Sequence, residues 1–240
     1  MKPRFIGTFT WYYGLVTIPR GMSYIVSSIM YPLAFLFLIF IFTQGRFIEV
    51  AAIGGFIAIV ASNAIYSSSD AAFQRIQLRF QDLLVATNIS FYDYMFAMSL
   101  SYLANSLPGI AVYAVIGTLL HIFTISRALA FTGVLLMVML AASSIAFMIA
   151  GFIKHIRNVW GIASIVSLVL TVIPPTFYPY TLIPKAALYA LMISPVTPAA
   201  MLAQGIFGIS KFQPYAILVL VVETVVYFAI AIKLNKWRET

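Results

Sequence analysis

Cysteine is absent from the 240 residues, so disulfides and thiolate metal sites are excluded and redox usage says nothing about compartment. Charge is scarce: Asp, Glu, Lys and Arg make up 8% of the chain, against about a quarter in a soluble domain. The usual signatures of catalysis are missing as well. No GxxxxGKS or GxxxxGKT phosphate loop occurs, so the chain has no P-loop of its own, and HExxH is absent. Gly208-Ile209-Ser210 is followed by Lys211, which is no setting for an activated serine. Five of the six acidic residues sit near the ends of apolar runs or in loops, which offers neither an acid–base pair nor a hard-metal cage. The Asn-Pro-Ala repeats of water channels do not occur either. These absences argue against an enzyme and against a metal or cofactor site in this chain.

What remains is apolar: 63% of residues are hydrophobic, and charges fall in clusters with wide gaps. Residues 21–45, 50–69, 94–126, 128–153 and 158–184 carry no formal charge, and 212–232 carries only Glu223. Each is long enough for the roughly 20 residues that cross about 30 Å of hydrocarbon. We therefore expect an all-α integral membrane protein, one transmembrane domain over 1–240, with spans at about 22–43, 50–69, 94–120, 128–153, 159–178 and 213–233. No cleavable signal peptide is expected, because Lys2 and Arg4 are followed by an aromatic stretch through Trp11, Tyr12 and Tyr13. The net charge of +8 is assigned to anchoring at anionic headgroups rather than to nucleic acid.

One apolar run is ambiguous. Ala186–Ser210 holds 25 uncharged residues, long enough to cross, but Pro195 and Pro198 break it. With six spans and both termini cytoplasmic, Lys2, Arg4, Arg20, Arg75, Arg79, Lys154, Arg157, Lys233, Lys236 and Arg238 lie inside. Arg46, Arg127, Lys185 and Lys211 lie outside, a bias of ten to four that obeys the positive-inside rule. A seventh span would reduce that bias to eight against six. The halves on either side of the prolines rise only about 13 and 18 Å as helices. A re-entrant hairpin over about 184–210, entering from the outer side, fits better than a span.

Several shorter features stand out. Residues 5–19 read as an N-terminal interfacial helix, since Trp and Tyr settle at the membrane boundary. Phe73, Ile76, Phe80, Leu83 and Leu84 share one helical face, with Gln74, Arg75, Arg79 and Asp82 on the rest. This predicts an amphipathic helix over about 71–87, serving either as a surface connector or as a docking element. Ala142, Ala146 and Ala150 repeat at four-residue spacing, which permits close helix packing, chiefly within the bundle. His121 and His155 read as solvated or interfacial polar side chains. Pro174, Pro175, Pro179 and Pro184, interleaved with Phe177, Tyr178 and Tyr180, predict a stiff aromatic cap at the outer mouth. Glu223 falls near mid-bilayer, where it must find a partner, line an interior path or be protonated.

In this layout the chain resembles the membrane subunits of type-2 ABC exporters, the class of drug-, lipid- and polysaccharide-export permeases. The resemblance covers nearly the whole chain and is most specific at the hairpin. There Pro184 is followed by ten residues, then Pro195, then Gln204 nine residues on. Val196 and Pro198 depart from the family's usual residues, and Pro198 puts in doubt the polar contact made there. The resemblance implies a pathway between two permease copies or a permease and a paralogue, in the plasma membrane. ATP and Mg would be held by a separate ATP-binding subunit docked on Phe73, Arg75, Ile76, Arg79, Phe80, Asp82 and Leu83. Pro174, Pro175, Phe177, Tyr178, Pro184, Pro195, Pro198 and Gln204 would form the outer gate. The alternative is a stand-alone carrier or channel that uses Glu223 as a proton or cation site.

Overall fold

The computed structural model describes residues 2–234; Lys236 and Arg238 of the C-terminal basic cluster lie outside the described residues. Among the described residues every regular element is helical. α1 (Pro3–Phe9) runs directly into a π-helical stretch at Thr10–Val16, where an interfacial helix is expected. The long helices are α2 (Met22–Phe42), α3 (Ile48–Ile76), α5 (Phe91–Leu119), α6 (Ile125–Phe152) and α10 (Tyr215–Leu234), with the short α4 (Phe80–Ala86) between α3 and α5. All five long helices are long and apolar enough to cross a membrane. α7 (Val159–Val172) is shorter, and α8 (Lys185–Leu191) and α9 (Val196–Ile206) form a pair bent by 118°.

α3 is the axis of the bundle. From Val50 to Ala72 every residue except Tyr66 and Asp70 is buried. Its sequence explains this: Ala, Gly, Ser and Ile dominate from Val50 to Ile65, with Asn63 the one amide and no charge, so neighbours can approach from all sides. α2, α5, α6, α7 and α9 all pack on it. The alanine ridge of α6 faces inward, with Ala142, Ala146 and Ala150 all buried within the chain. Two glycines mark the closest approaches. A Cβ on Gly54 would overlap the Thr176 carbonyl, and one on Gly55 would overlap the Tyr113 ring.

Two boundaries differ from those expected. The amphipathic helix over 71–87 is not one helix. α3 carries on to Ile76, the chain turns through Gln77–Arg79 with Arg79 in the left-handed region at φ 48°, and α4 begins at Phe80. A straight helix would carry Phe80 and Leu84 past the end of the bundle. The turn instead returns Phe80 to 6.4 Å from the Phe9 ring and buries Leu84. The helix expected over 159–178 stops at Val172: Ile173 is still helical in backbone, but Pro174 and Pro175 have no N–H with which to carry the hydrogen-bond ladder on. Residues 173–179 form an irregular segment pressed against α3.

The two ends of the bundle are chemically distinct. At the proximal end the Lys2 backbone amide donates to Asp93 Oδ1 at 2.7 Å, and Asp93 closes a capping box with Ser90 at the start of α5. At the distal end Phe207 packs edge-on against Phe123 and Phe131. Because the Thr176 carbonyl cannot retreat from a methyl at Gly54, Gly54→Ala should destabilise the fold by about 1–3 kcal/mol. Thermal denaturation of the detergent-solubilised protein measures this, with Gly133→Ala, whose added methyl meets no atom, leaving the midpoint unchanged or raised.

Candidate functional site: a hydroxyl-lined cleft on α3

α2 and α7 both pack on α3, and over much of their length the space between them is a cleft floored by α3. Helical spacing fixes its lining. On α3, Ser62, Tyr66 and Asp70 lie four residues apart on one face. On α7, Trp160, Ser164, Ser167 and Thr171 follow the same 3.6-residue repeat, and α2 contributes Ile25, Ser28 and Tyr31. The proximal part is a cavity of about 490 Å³ between Asp70, Tyr13, Tyr102 and Trp160. The next part, about 360 Å³, shares Tyr66 and Ser164 with it and is walled by Ser27, Ser28, Ser62 and Ser167.

At its distal end the cleft is closed. The Tyr31 and Thr171 hydroxyls are hydrogen-bonded at 2.7 Å, joining α2 to α7. Beyond them the Phe177 ring stacks on Phe35 at 5.1 Å and meets Tyr31 edge-on. Phe177 is held by the segment pressed on α3, and that segment is held by Gln204. The Gln204 Nε2 donates to the Pro175 and Tyr178 carbonyls at 2.9 and 3.1 Å. Its Oε1 accepts from the Tyr180 amide at 3.0 Å and from the Ser210 hydroxyl at 3.3 Å. One buried side chain thus satisfies backbone groups that proline and irregular geometry leave without helical partners.

The other residues expected at the outer gate are partly gathered here. Pro174, Pro175, Pro195 and Pro198 are buried, and Pro195 stands at the bend before α9. Pro184 is exposed at the start of α8. Tyr178 is half-buried, its hydroxyl donates to the Ile173 carbonyl at 2.7 Å, and burial pushes its phenol above the ordinary value.

The residues expected for docking separate into two groups. Phe73, Ile76 and Phe80 are half-buried, and Phe73 faces Trp160. Arg75 is not presented outward. Its guanidinium donates to the Gly151 and Ile153 carbonyls at 3.3 and 2.6 Å and so caps the C-terminal end of α6. Arg79, Asp82, Leu83 and the unanticipated Leu78 are exposed around the turn into α4. Leu83 therefore leaves the apolar face assigned to it, and Leu84 alone is buried. His121 and His155 are both exposed.

Glu223 lies one helical turn from Tyr227 on α10. Its Oε2 is buried and has no hydrogen-bond partner among the described residues. Tyr227 donates its hydroxyl to the Ile193 carbonyl at the bend between α8 and α9.

No family model matches this chain, and no curated protein matches it.

Sequence reading missed the cleft because serine, threonine and tyrosine carry no charge and do not interrupt an apolar run. The repeat was there to be read in Ser62, Tyr66 and Asp70 and in Ser164, Ser167 and Thr171, at helical spacing within two spans. Asp70 closes a charge-free run in the sequence, whereas α3 continues for six residues beyond it. Replacing Gln204 with Leu leaves two carbonyls and one amide of the 175–180 segment unpaired. This should cost about 3 kcal/mol, read as a lowered thermal midpoint and faster proteolysis of that segment.

Proposed function

We propose that this chain is the permease subunit of an ATP-driven exporter of the type-2 ABC class, moving an apolar or amphipathic cargo such as a drug, lipid, glycan or peptide. In this reading the chain crosses the plasma membrane six times, α7 being the fifth span, with both termini in the cytoplasm. Of the ten basic residues counted inside, eight belong to the described part of the chain, against four outside. The α8–α9 pair is re-entrant from the outer side.

The observation that carries the reading is this bent pair. Its two feet lie close together: Ile183 follows Tyr180 by three residues, and the Tyr180 hydroxyl donates to the Lys211 carbonyl at 2.5 Å. Its bend, at Ile193, is bonded to Tyr227, about 18 Å along α10 from Tyr215. An element that enters, turns at depth and leaves beside its entry is what a re-entrant hairpin requires. Cargo would move along the hydroxyl-lined cleft between α2, α3 and α7, with a second copy or a paralogue completing the pathway. Release would follow parting of the Tyr31–Thr171 bond and the Phe35–Phe177 stack. A separate ATP-binding subunit, carrying ATP and Mg, would seat on the exposed turn around Leu78, Arg79, Asp82 and Leu83. Two leucines more than half exposed beside a cation and an anion make a suitable contact for a protein partner.

The orphaned Glu223 oxygen favours a second reading, a stand-alone carrier that uses Glu223 as a proton or cation site. Two experiments separate the readings. Expressed with its neighbouring reading frames, the chain should co-purify with a P-loop ATPase. The double charge reversal Arg79→Glu with Asp82→Lys should then reduce transport-coupled ATP hydrolysis at least about tenfold without lowering the thermal midpoint. Isolation as a lone, transport-competent protein would overturn the exporter reading. Glu223→Gln should leave cargo transport and its pH dependence intact; abolished transport in that variant supports the carrier.

A further inference from the structure

The proximal cavity has a composition that apolar packing does not explain. Among the described residues lining it, Asp70 is the single charged side chain, and none is Lys, Arg or His. The nearest basic residue on the same helix, Arg75, spends its guanidinium on the carbonyls at the end of α6. The Asp70 carboxylate is instead held by the Tyr102 hydroxyl, which donates to Oδ2. Beside it Ser69 is 6% exposed, and its Oγ has no hydrogen-bond partner among the described residues. Four aromatic side chains from four elements meet at the same space: Tyr13 from the N-terminal helix, Tyr66 from α3, Tyr102 from α5 and Trp160 from α7. Burial, with Tyr12 and Asp70 nearby, pushes the Tyr13 phenol above its ordinary value, so this ring stays neutral.

We propose that this cavity binds an organic cation, an amine or quaternary ammonium carried on an apolar body, with Asp70 as its counter-charge and the four aromatic rings as its walls. A carboxylate half-buried inside an apolar bundle without a cation is costly, and the cavity offers room for one to arrive from outside the chain. Ring faces attract a cation within about 6 Å, most strongly where water is excluded. They also accept the alkyl or aryl body of such a ligand, which a bare metal ion does not have. A volume of about 490 Å³ suits a small organic molecule and far exceeds what one inorganic ion needs. Ser69 supplies an oxygen for an ammonium N–H or for the water that accompanies it. The proposal narrows the cargo class of the exporter reading, on which it rests only in treating the bound cation as cargo.

The test uses the full chain in lipid nanodiscs and isothermal titration calorimetry. Its probes are benzyltrimethylammonium and, as an anion of similar shape, phenylmethanesulfonate. Benzyltrimethylammonium should bind saturably and phenylmethanesulfonate should not. Asp70→Asn, which keeps the shape and the Tyr102 contact, should weaken cation binding at least about tenfold. Trp160→Leu should weaken it about threefold. Equal binding of the two ions, undiminished affinity in a folded Asp70→Asn protein, or no saturable heat up to about 10 mM cation would overturn the proposal. If Asp70→Asn lowers the thermal midpoint, the wild-type discrimination between the two ions decides alone. No ATPase takes part in this measurement. A missing ATP-binding partner would therefore overturn the exporter reading without touching the cation site, and absent binding would leave the ATPase test standing.

Discussion

Close packing on every side of α3 is the constraint from which the rest of this structure follows. A helix surrounded by five others must present small groups wherever a neighbour's backbone passes, and Gly54 and Gly55 do so against Thr176 and Tyr113. Where larger polar groups do occur, at Tyr66 and Asp70, the neighbours stand off and a cleft opens. The same helix thus determines both where the bundle is solid and where it is hollow. Several interior hydroxyls elsewhere bond back to carbonyls three or four residues earlier, as those of Ser67, Ser99 and Ser106 do.

The distal closure depends on a second, smaller constraint. Four prolines between 174 and 184 prevent α-helix there, so backbone groups of the segment need partners from elsewhere. Gln204 supplies them from α9, and this ties the irregular segment, the bent pair and the aromatic stack of Phe177 into one unit. Residues that seem unrelated along the chain, Phe35 on α2 and Gln204 on α9, are therefore two contacts apart.

Much of the fold was legible because a membrane leaves few choices. Charge-free runs announce the long helices, and their limits in the structure fall within a few residues of expectation, except that α3 runs on past Asp70 to Ile76. Polar residues inside a helix are poor markers of its end when a partner such as Tyr102, or the carbonyl terminus of α6, absorbs them. The bent pair was legible from Pro195 and Pro198 together with the length of each half. The site was far less so. Arg75 looked like a surface cation because its partners are backbone carbonyls of α6, which no side-chain pattern reveals. The cleft stayed hidden because its hydroxyls are distributed over three helices and become a surface only when those helices meet.

The continuity of α3 has a mechanical meaning. α2 carries Pro32 and α5 carries Pro108 in their interiors, whereas α3 runs 29 residues, about 43 Å, without a proline. It is a stiff lever with its handle at the turn through Gln77–Arg79 and its far tip under the Thr176 carbonyl. A tilt imposed at the handle arrives at the tip with no joint on the way to absorb it. Asp70 sits near the handle on the same rod, so whatever occupies the cavity beside it bears directly on how freely that lever can move.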